Sequence, residues 1–142
     1  MANGVIVESR IQATNIDALN RTAQAQIAVA GGGLVALTES GVQGNEVWTA
    51  AAPAVGSLGG LWIAYNPSGH LTAVGTKFFA GLSEDPRDYT NLANRPFDCF
   101  KPEVGDEIDI TVDCVDSTAS SVVAGDILEP KAGQTTFTRV AA

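Results

Sequence analysis

FDCFKPEVGDEIDITVDCVD, residues 97–116, contains the clearest period-two pattern in the chain. From residue 107 onward apolar and polar side chains alternate, and the apolar set is Ile108, Ile110, Val112 and Cys114. Alternation over about 4–8 residues is typical of a strand with one buried face. The Pro and Gly just before it favour a turn, because Pro cannot donate to a ladder and Gly accepts a positive φ. The stretch therefore predicts a turn at 101–106 and a strand over 106–116.

Similar short runs occupy much of the chain, separated by Gly, Pro, Asn and Ser about every 8–12 residues. The runs lie at 26–38 (two strands around Gly31-Gly32-Gly33), 46–50, 61–65, 77–82, 97–100, 122–129 and 135–140. A length of 142 residues fits one domain. We predict an all-β fold: a single small β-barrel or β-sandwich of about nine to ten short strands over residues 26–142. Residues 1–25 are predicted to form an extended N-terminal arm and lead-in, and 11–20 fit a helical turn or a loop.

The formal net charge is −8, and twelve of the sixteen acidic residues lie between 84 and 129. Phosphate binding needs clustered Lys and Arg, so we expect no nucleic acid and no anionic membrane as partner. The acidity favours solubility or docking on a basic protein partner. The first residues lack the charged and apolar regions of a signal peptide. The longest apolar run, at 27–37, is far shorter than the roughly 20 residues that span a bilayer.

Few residues offer catalytic chemistry. His70, the single histidine, lies in a predicted turn without a neighbouring nucleophile. Cys99 and Cys114 are expected to be reduced and packed as small hydrophobes, with a disulfide as the alternative if strands 97–100 and 110–114 pair. The glycines at 31–33 lack the Lys and Ser/Thr of a phosphate-binding loop. We therefore predict no enzyme, no catalytic residue, no cofactor and no metal site.

Two clusters leave alternatives open. Glu107, Asp109 and Asp113 share one face of the predicted strand and are interpreted as a solvated face, with a Ca²⁺ or basic-partner contact and glycoside hydrolysis as alternatives. Four aromatic residues could pack in the core or form a platform that stacks on sugars. These are Trp48, Trp62, Tyr65 and Tyr89.

Three groups of residues follow one another in a recognisable order. The last third has Phe97, Lys101-Pro102, Gly105-Asp106, Ile108 and Ile110-Thr111, then Ala124-Gly125-Asp126, Pro130 and Gly133. The middle has EVWTA at 46–50 and LWIAYNP at 61–67, and Arg95-Pro96 leads into Phe97. Over about residues 32–137 the chain resembles the small head decoration (cement) proteins of tailed bacteriophages.

The resemblance implies a β-rich, non-enzymatic protein that binds the outer surface of an assembled capsid and stabilises it. Its partner would be the major capsid protein, together with neighbouring copies of itself in a trimer or other homo-oligomer. It would be found on the virion, assembled in the host cytoplasm. The alternative is a carbohydrate-binding β module or adhesin domain on a virion or cell surface.

Six residues are candidates for the capsid contact. Val5, Ile6 and Val7 could add a strand to a sheet edge of a partner by β-augmentation. The polar loop at 83–96 is longer than most loops of a compact domain and carries Arg87, Tyr89 and Arg95. On this hypothesis, deletion of residues 2–10 abolishes capsid binding and leaves the domain folded.

Overall fold

The computed structural model describes residues 3–39, 46–55, 60–67, 85–116 and 122–140, and two further strands at 71–74 and 77–80 by their backbone alone. Within these residues the chain is all-β, as predicted, and its helical segments are single 3₁₀ turns of three residues. The strands are β1 Ile6–Arg10, β2 Asn20–Ala25, β3 Leu34–Thr38, β4 Trp48–Ala51, β5 Trp62–Ala64, β6 Leu71–Val74, β7 Lys77–Ala80, β8 Pro96–Phe100, β9 Glu107–Ile110, β10 Ile127–Pro130 and β11 Phe137–Val140.

Five strands close into a small barrel in the order β2-β4-β3-β5-β8. β2 and β4 run parallel, with Ala23 opposite Trp48, and the other pairs in the barrel are antiparallel. The interior is narrow, and small side chains fill much of it. Its buried cluster consists of Ala23, Ala25, Val29, Val35, Ala50, Ala64, Phe97 and Cys99. A barrel of so few strands leaves little interior volume, which explains why alanine takes many of the inward positions.

A second buried layer lies outside the barrel wall. Leu34, Ile63 and Phe100 have the opposite parity to the interior residues of β3, β5 and β8, and they pack against the N-terminal part of the chain. This cluster also contains Ile6, Ile11 and Ala13, with Ile108, Ile110, Tyr65 and Phe137 partly buried against it. The antiparallel ribbon β1–β9 therefore covers one side of the barrel.

The N-terminal segment is extended, as predicted, but it is not a free arm. β1 pairs with β9 of the same chain, with Ile6 opposite Ile110 and Val7 opposite Asp109. β2, which begins at residue 20, already belongs to the barrel. Ile6 is 1% exposed and contributes to the second core layer, so this extended segment is docked on the domain.

Two predicted strands have different bounds in the structure. The strand predicted over 106–116 ends at Ile110, and a 3₁₀ turn over Val112–Cys114 follows it. Val112 is consequently 61% exposed, and Cys114 is buried by the turn rather than by alternation. The first strand predicted within 26–38 is reduced to one bridge between Val29 and Asn91.

The same turn precedes β9 and β10. In the first turn Asp106 Oδ2 accepts from Glu103 N at 2.8 Å, and Asp106 N donates to Glu103 O at 3.1 Å. In the second, Asp126 makes the same two bonds with Val123 at the same distances. The glycine before each aspartate has a φ near +100°. The repeated Gly-Asp in the sequence therefore builds one structural unit twice, and the chain has a strand directly after each copy.

Candidate functional site

The structure buries two of the three N-terminal candidate residues. Val5 N donates to Thr111 Oγ1 at 3.0 Å, and Val5 O accepts from Thr111 N at 3.0 Å. The side-chain amide of Asn66 accepts from Ile6 N at 2.9 Å and donates to Ile6 O at 2.6 Å. Asn66 thus occupies the backbone groups that β-augmentation at Ile6 would use. Val7, with 58% of its surface exposed, is the member of the three that faces solvent.

The described part of the predicted 83–96 loop, which we call the 85–95 loop, begins with a charged turn. Asp85 caps the 3₁₀ turn Pro86–Asp88 by accepting from Arg87 N at 2.9 Å, and the Arg87 guanidinium reaches Asp85 Oδ2 at 2.7 Å. The hydrogen bond to Arg87 holds the pKa of the Asp85 carboxyl at about 2, and the same pair raises the pKa of Arg87. Both groups are accessible, and the hydrogen bonds to Asp85 orient the Arg87 guanidinium at the surface.

The two candidate contact elements meet. Asn3 N donates to Arg87 O at 2.9 Å, and Asn3 Nδ2 donates to the same oxygen at 3.1 Å. Asp113 interacts electrostatically with Arg87 as well. We call this surface the N-terminal face and define it by Asn3, Arg87 and Asp113. It joins three segments that are widely separated in the sequence.

Tyr89 is half-buried and Arg95 is exposed. Tyr89 N closes the 3₁₀ turn on Pro86 O at 3.3 Å. Arg95 follows Asn94, which has a left-handed φ of 59° and donates its N–H to Ala25 O at 2.7 Å. The turn at Asn94 therefore ties the Arg95 end of the loop to the barrel, whereas Arg87 lies at the N-terminal face.

Two asparagines that the sequence did not single out hold these segments in place. Asn91, which is 9% exposed, exchanges two backbone hydrogen bonds of 2.9 Å with Val29 and donates from Nδ2 to Tyr65 O at 3.0 Å. Asn66 fixes β1 as described above. A single Asn in a predicted turn or loop gives no sequence signal for either role, because the partners lie far away along the chain.

The predicted acidic face is present on the outer side of the β1–β9 ribbon. Asp109 accepts from Ser9 Oγ at 2.8 Å, and Glu107 lies 3.9 Å from Arg10 Nε with both side chains well exposed. Asp113 lies beyond the strand, in the 3₁₀ turn. Within the described ranges no group of three or more His, Cys, Asp or Glu side chains is arranged to hold a metal ion. His70 lies outside the described residues.

Three of the four aromatic candidates face the interior layers. Trp48 and Trp62 pack against the barrel core. Tyr65 lies 4.9 Å from Phe100 between ring centroids and donates to Asn20 Oδ1 at 3.0 Å. Burial, with a smaller contribution from Glu8, raises the pKa of the Tyr65 hydroxyl. Core packing therefore accounts for these rings.

At one end of the barrel an arginine lies between the two tryptophans. Arg21 Cζ is 5.6 Å from the ring centroid of Trp48 and 5.7 Å from that of Trp62. We call this cluster of Arg21, Trp48 and Trp62 the barrel mouth. Both tryptophans of the chain belong to it.

A shallow groove of about 240 Å³ lies along the parallel pair β2–β4. Its polar lining is uncharged: the amides of Gln24, Gln26 and Asn94 and the hydroxyl of Thr49. Uncharged amides and hydroxyls of this kind can exchange hydrogen bonds with a neutral polar ligand.

The two thiols lie in different layers of the fold and are not bonded to each other. Cys99 faces the barrel interior, and burial raises the pKa of its thiol to about 12. Cys114 is buried beside Val5 O and Gly31 O, and burial raises its pKa as well. Both cysteines are therefore packed as reduced small hydrophobes, as predicted.

Comparisons with protein-family models, with curated proteins and with solved structures gave no match for this chain. In the part of the chain that the structure describes, no helix has the length and apolar character needed to cross a membrane.

Proposed function

We propose that this chain is a non-enzymatic decoration protein that binds the outer surface of an assembled bacteriophage head and stabilises it. The observation that carries the proposal is the hydrogen bonding of Asn3 to Arg87 O. It brings the N-terminal segment and the 85–95 loop, two elements proposed for the contact on sequence grounds, onto one side of a compact β domain. The resemblance of residues 32–137 to cement proteins supplies the class of partner.

The stabilising mechanism is mass action. A protein that binds the assembled shell and not the free subunit shifts the equilibrium toward the shell. Many identical contacts around one head multiply a modest contact free energy. No chemical step is required, and the decoration protein acts as a ligand of the lattice.

The N-terminal face offers a charged contact that is already ordered before binding. Asp85 fixes the Arg87 guanidinium through two-pronged hydrogen bonding, so little side-chain entropy is lost when Arg87 meets a partner. Arginine is enriched among residues that dominate binding energy at interfaces. Val7 adds an exposed apolar side chain on the neighbouring ribbon.

Sedimentation with empty heads tests the proposal. The purified chain is mixed with heads assembled from the major capsid protein of the same phage, and bound and free fractions are measured against concentration. We expect saturable binding and heads that withstand a higher temperature. Arg87→Glu is expected to weaken binding by at least about tenfold, because it reverses the charge of a central contact.

Lys131→Glu is the matched control, since it makes the same charge change in the turn between β10 and β11. It should bind like the unmodified chain. Equal weakening by both variants would mean that net charge and not the N-terminal face governs binding. Absence of sedimentation with any head would overturn the proposal.

The groove along β2–β4 favours a second candidate, a carbohydrate-binding module. Its three amides and one hydroxyl suit sugar hydroxyl groups, whereas the tryptophans of the alternative aromatic platform pack against the barrel core. A glycan array with the unmodified chain and with Gln24→Ala is the test. Binding of a defined glycan that Gln24→Ala abolishes would favour this function over capsid decoration.

A further inference from the structure

The barrel mouth contains the charged guanidinium of Arg21 at the end of an otherwise apolar interior. Arg21 has the same parity on β2 as Ala23 and Ala25, which are buried inside the barrel. Trp48 and Trp62 are the first residues of β4 and β5, strands that run in the same direction as β2. The three side chains therefore meet at one end of the barrel, with the guanidinium between two indole rings.

The guanidinium of Arg21 has more donors than it has partners in the described part of the chain. It carries five N–H groups. Nη1 donates to Asn20 O at 2.7 Å, and no carboxylate of the described residues pairs with Arg21. Arg10, Arg87, Lys101 and Arg139 each face an acidic residue instead. In a chain of net charge −8 with twice as many acids as bases, a partly buried arginine without an acidic partner among the described residues is unexpected.

The chemistry of the mouth selects the kind of ligand. A planar guanidinium matches the two oxygens of a carboxylate, and the indoles limit its rotation. A polyanion such as nucleic acid would be repelled by the acidic surface of the chain. A sugar ring would need an indole face to stack on, and Arg21 already covers one face of each ring.

We propose that the barrel mouth binds a carboxylate side chain of a protein partner, with Arg21 as its charged contact. This inference is independent of capsid decoration, because it rests on a different surface from the N-terminal face. The occupant is an Asp or Glu side chain that inserts at the end of the barrel and binds the Arg21 donors that have no partner among the described residues.

Tryptophan fluorescence reports on this site directly, since the chain has no tryptophan elsewhere. The probe is the capped peptide acetyl-Gly-Glu-Gly-amide, and its uncharged counterpart carries Gln in place of Glu. We expect the Glu peptide to change the emission saturably and the Gln peptide to leave it unchanged. Arg21→Gln should weaken binding of the Glu peptide by at least about tenfold, and Arg21→Lys should weaken it less.

Arg10→Gln is the matched control, because Arg10 is an exposed arginine on the β1–β9 ribbon. Amide chemical shifts of β2, β4 and β5 establish that each variant remains folded and locate the bound peptide. Equal binding of the Glu and Gln peptides, or undiminished binding to folded Arg21→Gln, would overturn the proposal. A response to glucuronate but not to the Glu peptide would also overturn it, in favour of an acidic sugar.

Discussion

Glycines make room for the thiol of Cys114. A Cβ at Gly4 would lie 2.6 Å from Cys114 Sγ, and a Cβ at Gly32 would lie 2.8 Å from the same atom. Such distances are far below ordinary van der Waals contact. The N-terminal segment, the turn before β3 and the turn after β9 meet at this point, so one crowded atom fixes three segments of the chain.

Gly32→Ala and Gly133→Ala separate crowding from backbone strain. Both glycines have similar left-handed φ values, +75° and +79°, but open space surrounds Gly133. Gly133→Ala should lower the free energy of unfolding by about 1–2 kcal/mol. Gly32→Ala should cost about 1–3 kcal/mol more, because it also overpacks the core. Urea denaturation measures both. In a Cys114→Ala background the two glycine variants should lose nearly the same free energy of unfolding, because the crowding atom is gone. If the difference between them is unchanged there, the thiol is not its cause.

The Cys99 thiol should make stability fall in alkaline solution. Its pKa rises from 9.0 to about 12 on folding, mainly through burial. Above pH 9 the unfolded thiol releases its proton while the native thiol keeps it, so the native state binds more protons. The stabilising contribution of the protonated Cys99 thiol is fully present below pH 9. Between pH 9 and pH 12 its loss lowers the free energy of unfolding by at most about 1.4 kcal/mol per pH unit. Urea denaturation at a series of pH values should show a shallower decline for Cys99→Ala, and identical slopes would contradict the prediction.

At the scale of elements, β1 is held in place from both sides. β9 pairs with one edge, and the Asn66 amide satisfies Ile6 on the other. Removing β1 would leave apolar residues of the second core layer uncovered. Deletion of residues 2–10 is therefore expected to impair folding, so a loss of capsid binding in that variant would not by itself identify a contact.

Ile6→Ala and Val7→Ala should differ sharply although the residues are adjacent. Ile6 is 1% exposed and Val7 is 58% exposed. Ile6→Ala should lower the free energy of unfolding by about 2–4 kcal/mol. Val7→Ala should change it by less than about 0.5 kcal/mol. Thermal and urea unfolding of both variants measure the contrast, and equal effects would mean that β1 is not docked as described.

The two Gly-Asp turns have the same backbone hydrogen bonds, but the two aspartates have different further partners. Asp126 also pairs with Arg139, through a side chain that is only 3% exposed. Asp106→Ala should cost about 1–2 kcal/mol, because it removes the acceptor of two backbone N–H groups, Glu103 N and Gln12 N. Asp126→Ala should cost about 3 kcal/mol, because it leaves the Arg139 charge partly buried without this partner. Urea denaturation compares them, and Arg139→Gln should reproduce much of the Asp126 loss.

Sequence patterns predicted those elements whose apolar residues are large. Trp48, Ile63 and Phe97 marked β4, β5 and β8, and Gly-Asp marked the turns before β9 and β10. β2 escaped detection because the inward positions of NRTAQA hold Arg21 and two alanines, and alanine carries little strand signal. The end of β9 was missed because Cys114 is buried by a 3₁₀ turn that imitates the alternation.

The candidate site was predictable in part. Arg87 and the N-terminal segment were both identified, yet their contact through Asn3 depends on tertiary pairing between residues 84 positions apart. The barrel mouth was not foreseen, because Arg21 lies in the stretch whose strand was not recognised. Its indole neighbours, Trp48 and Trp62, come from two other strands.

At the scale of the whole molecule, charge repulsion opposes the compact state. Sixteen acids against eight bases give a net charge of −8, and twelve of the acids lie between 84 and 129. Several of the ion pairs in the described residues are exposed and contribute little individually. Screening should therefore weaken repulsion more than it weakens attraction.

Salt should accordingly stabilise the protein. Raising NaCl from about 20 mM to about 500 mM shortens the screening length from roughly 20 Å to roughly 4 Å. We expect the midpoint of thermal unfolding to rise. Sodium chloride and potassium chloride should act alike if screening is the cause. A midpoint that falls with salt would show that the attractive pairs outweigh the repulsion.

The pairing of β1 with β9 has a consequence for biosynthesis. Ile6 emerges from the ribosome long before Ile110, its partner in the ribbon, has been translated. The nascent barrel strands can associate while this early segment still waits with its apolar side chains in water. β1 therefore docks late during folding of the newly made chain. A chaperone that recognises short hydrophobic peptides could bind the segment before it docks.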